Sequence, residues 1–216
     1  MRDYLKKIKS IIATKVSKVV QIQNTIPDMI DLGLSVKWAA NNIGANPGTT
    51  PESYYGSYFA WGEKETKSKY NWKTYVFGES YPFNKYDTDG KTVLEASDDV
   101  ATTIYGSNYR IPTIDEMKEL IDGTDNEWIT DYNGISGLNG YKFMKKSDHS
   151  VFIFIPAAGY FYNSSVDGVG YESNVWSSSL DSGNLNCAQG LGFVSGNIVV
   201  GNGYRYTGFS VRAVRI

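Results

Sequence analysis

The C-terminal stretch WSSSLDSGNLNCAQGLGFVSGNIVVGNGYRYTGFSVRAVRI, residues 176–216, begins and ends like a strand-forming terminus, yet its middle is thin. Gly190, Gly192, Gly196, Gly201, Gly203 and Gly208 stand where a strand usually carries β-branched or aromatic residues. Glycine loses the most backbone entropy on folding and packs nothing. In an extended segment Leu191 and Phe193 point to one face and Gly190 and Gly192 to the other. The first face can anchor a core while the second is free to carry any side chain. Ser195-Gly196-Asn197 supplies a hairpin turn, and GNGYRY, residues 201–206, a second exposed excursion.

Working back toward the N-terminus, the best-marked element is RIPTIDEMKELIDG, residues 110–123. Thr113 followed by Glu116 is a capping box, and Ile114, Met117, Leu120 and Ile121 form one apolar helical face, with Gly123 where the chain leaves the helix. DDVATTIYG, residues 98–106, opens on an acidic pair that suits the N-terminus of a short helix, so Asp98 and Asp99 read as a cap. NG turns stand at 133–134 and 139–140. The two extended runs around KKSDH then predict a hairpin turning near Ser147-Asp148, with His149 a solvated loop residue. VFIFIPAAGY, residues 151–160, is apolar on both faces and predicts a central, covered strand.

MIDLGLSVKWAA, residues 29–40, alternates well enough for a strand or two, with Trp38 in the core. NNIGANPGTTPES (41–53) is a loop, and YYGSYFAWGE (54–63) an aromatic strand segment. DTDG at 87–90 resembles the start of a calcium loop, but position twelve is Asp98 and not glutamate, so an Asp-Gly turn is the plainer account. The sum is an α+β domain with a few short helices, many antiparallel strands and long loops.

Residues 1–23 are of another kind. They carry a net charge of +5 while the remainder carries −7. Met1, Leu5, Ile8, Ile12, Lys15, Val19, Ile22 and Ile26 alternate in steps of four and three, the seam of a coiled coil, with β-branched residues favouring three or more strands. Residues 1–25 therefore predict a basic amphipathic helix, and a homotrimer through residues 1–26 is the preferred reading. Docking on its own domain and contact with an anionic membrane surface are the alternatives.

The composition is informative about chemistry. Cys187 is the only cysteine and His149 the only histidine, which removes intrachain disulfides, His-based triads, Cys-His dyads and typical zinc sites. No metal, cofactor or catalytic residue is expected. A formal charge of −2 gives no general reason to expect nucleic acid as a partner. No run approaches a membrane span, and the lysines interrupting IKSIIATKVSKVVQIQ make a poor signal peptide. A surface role would need another route out, such as assembly into a phage particle.

Taken in order, IDLGLSVKWAA, YGSYFAWGE, NYRIPTIDEMKEL, GYKF, IFIPAAGYF, WSSSL and FSVRAVRI resemble a large paralogous family of gut anaerobes and their phages. The resemblance covers residues 29–216. It implies a C-type-lectin-like fold, related to formylglycine-generating enzymes and to the variable proteins of diversity-generating retroelements. In such systems adenine-directed mutagenesis rewrites a C-terminal region while the fold is kept. The resemblance implies a variable region at about 170–212, with fixed counterparts of Ala188, Leu191, Phe193, Ser195, Gly196, Ser210, Val211 and Arg212. Most residue types frequent in this stretch can arise from asparagine codons edited at adenines; Gln189 cannot.

The expected contact surface comprises Tyr171, Ser173, Asn174, Asp181, Asn184, Asn186, Cys187, Gln189, Gly190, Gly192, Val199, Gly201, Asn202, Tyr204 and Tyr206. Tyr, Ser, Gly and Asn are the usual binding-loop residues, rigid amphipathic rings beside small adaptable polar groups. The expectation is a non-catalytic receptor-binding or adhesin protein on a phage or cell surface, with a protein or glycan ligand on a bacterial surface. The alternative is a structural surface or fibre domain whose glycines serve only tight turns. Calcium-dependent sugar binding is not expected, for no Glu-Pro-Asn or Gln-Pro-Asp triplet is present.

Overall fold

The computed structural model describes residues 26–87 and 89–216. The N-terminal helix with its seam from Met1 to Ile22 lies outside the described residues, as does Thr88 of the Asp-Gly turn. The rest is an α+β fold, mostly strands with a few short helices. No helix among the described residues is long and apolar enough to cross a membrane.

Three sheets organise the domain. In the first, β1 (Met29–Ile30) and β2 (Lys37–Ala39) pair with β14 (Val214–Arg215) and β4 (Tyr109–Arg110) in the order β1-β2-β14-β4. The register Val214↔Trp38 joins the two ends of the described chain, and Trp38 beneath it is fully buried. A second sheet, β5-β6-β7, is formed by β5 (Thr124–Ile129), β6 (Gly140–Lys145) and β7 (Asp148–Pro156).

The third and largest sheet carries the surface of interest. Its path runs β12 (Asn197–Tyr204), β11 (Cys187–Val194), β10 (Glu172–Leu180), β13 (Phe209–Ser210) and β3 (Tyr58–Phe59). Beside β10 lies β8 (Ala158–Tyr162), in parallel register Ser173↔Gly159, and β9 (Ser165–Val169) pairs with β8.

Three short α-helices complete the domain: α1 (Glu52–Tyr55), α2 (Val100–Tyr105) and α3 (Ile114–Gly123). α3 begins where the sequence predicts. The Thr113 side chain accepts from the Glu116 N–H and the Glu116 carboxylate from the Thr113 N–H, which satisfies two orphan donors of the first turn. Asp99 caps α2 by accepting from the Thr102 N–H, and Asp98 instead pairs with Lys85. Met117 and Leu120 of α3 are buried with Leu191 and Phe193 of β11, Val175 of β10 and Phe143 of β6. Burying each of these large side chains stabilises the fold by about 1.5–3 kcal/mol. The reading that Leu191 and Phe193 anchor a core holds.

Two segments upstream of the C-terminal stretch differ from expectation. VFIFIPAAGY is not one central strand. It divides near Pro156 into β7, at the rim of the second sheet, and β8, in the third. It is covered on both faces as expected, with Ile153, Ile155 and Ala157 in the cluster around Met117 and Leu191 and Phe154 and Ala158 in a second cluster with Tyr55 and Leu138, but it is not central. In YYGSYFAWGE only Tyr58–Phe59 is strand. Tyr54 and Tyr55 end α1, and Gly56, with φ of +77°, turns the chain into β3. Its aromatic character still reports burial, since Tyr55, Phe59 and Trp61 are all inside.

Two arginines are wholly inside without a carboxylate beside them. Arg212 donates to Asn42 Oδ1 (2.9 Å), the Ala39 carbonyl (3.0 Å) and the Phe154 carbonyl (2.8 Å). It thereby ties the last strand region to both the first and second sheets. Loss of hydration lowers its pKa to about 9, which leaves it cationic at neutral pH. Arg205 donates to the Tyr75 hydroxyl and to the carbonyls of Lys85, Tyr86 and Leu185. Its guanidinium also lies over the rings of Phe83 (4.4 Å) and Trp61 (5.1 Å). GNGYRY is accordingly no exposed excursion throughout: residues 201–204 end β12, and Arg205 and Tyr206 are buried.

Candidate functional site

The hairpin β11–β12 turns at Ser195-Gly196, where Gly196 takes φ of +77° in open solvent. Its register brings Gly192 opposite Val199 and Gly190 opposite Gly201, while Asn174 of β10 lies opposite Gly192. A methyl group placed on each glycine separates two kinds of position. At Gly201 it meets nothing within 4 Å, and at Gly192 the nearest atom is the end of the Asn174 amide, at 3.3 Å. At Gly190 it falls 2.5 Å from the Val175 carbonyl, and at Gly203 2.5 Å from the Phe209 ring. Gly192 and Gly201 have room for a side chain. Gly190 and Gly203 are glycine because backbone and ring approach too closely for anything larger.

This sorts the expected contact residues. Tyr171 (66% exposed), Tyr204 (52%) and Val199 stand out from the surface; Asn184, Gly201 and Asn202 are exposed, and Asn174, Asp181, Asn186, Gln189 and Gly192 are half-buried. The loop after β10 is held from within. Asp181 accepts from the Asn202 amide (2.6 Å) and the Gly183 N–H, and Asn184 accepts from the backbone and side chain of Asn186.

Four expected contact positions are corrected. Ser173 is buried because its side chain shares the face of Val175, against the core. Cys187 is buried at the start of β11, and burial raises its thiol pKa, as does nearby Asp181. Gly190 is sealed by the Val175 carbonyl. Tyr206 lies beneath Tyr204, stacked at 5.5 Å with rings 10° apart. Burial, helped by Tyr162 and Tyr204, pushes its hydroxyl up to about 12.

Beside the hairpin is an open groove of about 360 Å³, lined by Tyr160, Tyr162, Asn174, Gly203, Tyr204, Thr207 and Phe209. No lining side chain is charged. Behind it is a continuous aromatic layer. Trp72 meets Tyr204 at 6.1 Å and Tyr206 at 4.6 Å, Tyr162 meets Tyr206 at 6.1 Å, and Trp176 stacks on Phe209 at 4.0 Å. The groove is therefore rigid at its base, with Tyr162 and Tyr204 exposed at its edges. Larger clefts exist at the 62–77 loop and between residues 48–54 and 133–136. The first carries Glu63, Lys64, Glu65, Lys67 and Asp98, of which Glu63 pairs with Lys67 and Asp98 with Lys85.

Sequence reasoning missed Tyr160 and Tyr162. The signal was present in GYFY (159–162), two tyrosines spaced to share one face of a strand. Among the described residues no group of three or more His, Cys, Asp or Glu side chains is placed to hold a metal ion. His149 is exposed and paired with Asp125 at 2.7 Å, at the rim of the second sheet. Compared with known proteins, the chain matches no family model, no curated protein and no solved structure.

Proposed function

We propose that residues 26–216 are a non-catalytic, C-type-lectin-like ligand-binding domain whose contact surface is the β8–β10–β11–β12 face with its tyrosine groove. The observation that carries this reading is the junction of two features. An uncharged groove edged by the exposed rings of Tyr162 and Tyr204 adjoins a row, Asn174–Gly192–Val199–Gly201, whose side chains can change without disturbing the core. Exposed aromatics on a rigid base are the usual anchors of recognition surfaces. The lectin-like reading is supported by the motif order in the sequence and by the burial of WSSS and FSVR, which bracket Gly192, Val199 and Gly201 of the adaptable row.

In this reading the domain serves as a receptor-binding protein or adhesin on a phage or cell surface, with a protein or glycan on a bacterial surface as its target. Residues 1–26 would assemble copies, so that weak single sites gain avidity. The adaptable row would be the product of a diversity-generating retroelement. Capture from intact bacterial surfaces, comparing wild type with a variant rewritten at Asn174, Gly192, Val199 and Gly201, tests the site. Equal capture by both removes it. A template repeat differing at adenines beside a reverse-transcriptase gene tests the diversification separately.

The structural-domain reading has one observation in its favour. Gly190 and Gly203 owe their identity to packing alone, as in a domain whose glycines serve only the fold. It predicts no capture by wild type either.

A further inference from the structure

We infer that the groove between Tyr160, Tyr162 and Tyr204 takes an alkylammonium cation, either a quaternary ammonium small molecule or the ammonium end of a lysine side chain. This rests on the reading of the groove as a ligand site and specifies its chemistry.

Three observations carry it. The first is the lining: three tyrosines, one phenylalanine, Asn174, Thr207 and Gly203, with no basic side chain among them. Aromatic faces attract cations through the ring quadrupole, most strongly where water is partly excluded. A cation within about 6 Å of a ring centroid is held this way, and four aromatic side chains line the groove. The hydroxyls and the Asn174 amide also offer acceptors.

The second is the field around it. Tyr160 holds its proton more tightly than a free tyrosine, first through burial and then through the negative charges of Glu172 and Asp167. The charges that act on Tyr160 are therefore acidic. They favour a cation there and disfavour a phosphate or carboxylate.

The third is a precedent one layer below. Arg205 lies over Phe83 at 4.4 Å, Phe83 stacks on Trp72 at 5.3 Å, and Trp72 touches Tyr204 and Tyr206. This aromatic layer already holds one organic cation on its inner side, without a carboxylate. That inner charge would oppose a second cation. It is turned toward the carbonyls of Lys85, Tyr86 and Leu185, whose dipoles offset it.

The test is titration of the full chain, followed by NMR or calorimetry, with choline, its neutral isostere 3,3-dimethylbutan-1-ol, Nα-acetyllysine amide and methyl glucoside. The cations should bind about tenfold tighter than the isostere, the ratio a cation–π contribution supplies. Tyr204→Leu, which keeps an apolar surface and loses one of the lining rings, should narrow the ratio of choline to isostere affinity, and an unchanged ratio would exclude Tyr204 from the cation site. The ranking of choline against the lysine derivative separates a small-molecule ligand from a protein one, and either order supports the inference. Equal binding of choline and the isostere, or preference for the glucoside, overturns the cation assignment but leaves the groove a ligand site. No binding by any of the four overturns both.

Discussion

Gly203 and Phe209 touch so closely that a methyl group on Gly203 would lie 2.5 Å from the Phe209 ring edge. The ring is held in place by its stacking on the buried Trp176 indole at 4.0 Å, and the indole edge itself would lie 3.3 Å from the same methyl group. Gly203→Ala should therefore destabilise the domain by about 1–3 kcal/mol, the usual penalty for overfilling a packed site. Gly201, two residues back on the same strand, faces open space. Gly201→Val should stabilise by up to ~1 kcal/mol, since a strand glycine gives up backbone entropy for nothing. Denaturant midpoints of the two variants should move in opposite directions. A shared direction would mean the groove floor is not packed as described.

The contrast recurs one strand inward. Gly190→Ala meets the Val175 carbonyl at 2.5 Å and backbone cannot step aside, whereas Gly192→Ser meets only the end of the Asn174 side chain. Thermal melts should show the first lowered by several degrees and the second within about a degree of wild type.

Arg212→Ala should be the most damaging single change among these. It strands two buried carbonyls and the Asn42 amide oxygen without a donor. Each orphaned buried acceptor costs about 1–3 kcal/mol. Arg212→Lys should recover only part, because an ammonium cannot span three divergent acceptors from one planar fork. Urea unfolding monitored by tryptophan fluorescence would order wild type, Lys and Ala; Ala and Lys equal to wild type would refute the clamp.

The start of α3 carries a pH signature. Burial would push the Glu116 carboxyl up, but hydrogen bonds from Arg110 (2.5 and 2.7 Å) and the Thr113 N–H outweigh it, and its pKa falls below the ordinary 4.5. A carboxylate depressed in the folded state adds stability that is fully present above pH 4.5 and lost as pH falls through the lower folded value. Glu116→Gln should thus be less stable than wild type at pH 7, with the gap closing below pH 4.5. Thr113→Ala should cost about 1 kcal/mol with little dependence on pH. A Glu116→Gln gap that stays constant across this window would exclude the ion pair as its origin.

Much of the fold was legible from local chemistry. The capping box at Thr113 and Glu116, the Asp99 cap and the hairpin at Ser195-Gly196 depend on neighbours within a few residues and lie where the sequence places them, and the β6–β7 hairpin turns at Lys146-Ser147, one residue before the expected Ser147-Asp148. The division of VFIFIPAAGY between two sheets was not legible, since an apolar run says that a strand is covered but not by what. Tyr206 reads like Tyr204 in GNGYRY, and only the stacking of the two, with Trp72 behind, makes one an exposed wall and the other its support.

By itself the sequence determined that this chain offers one cysteine and one histidine, where α3 begins, and that Leu191 and Phe193 share a face that anchors a core. Those properties follow from residue identity and from a period of two or 3.6 residues. What the thin strand means was decided only by tertiary structure. Four glycines alike in the sequence became two with room for side chains and two held by contact, according to whether the Val175 carbonyl or the Phe209 ring happens to lie above them. The same long-range packing turned Arg205 and Arg212 inward, onto carbonyls and rings far from them in the chain. Distances between residues remote in sequence set these outcomes, and no local pattern encodes them.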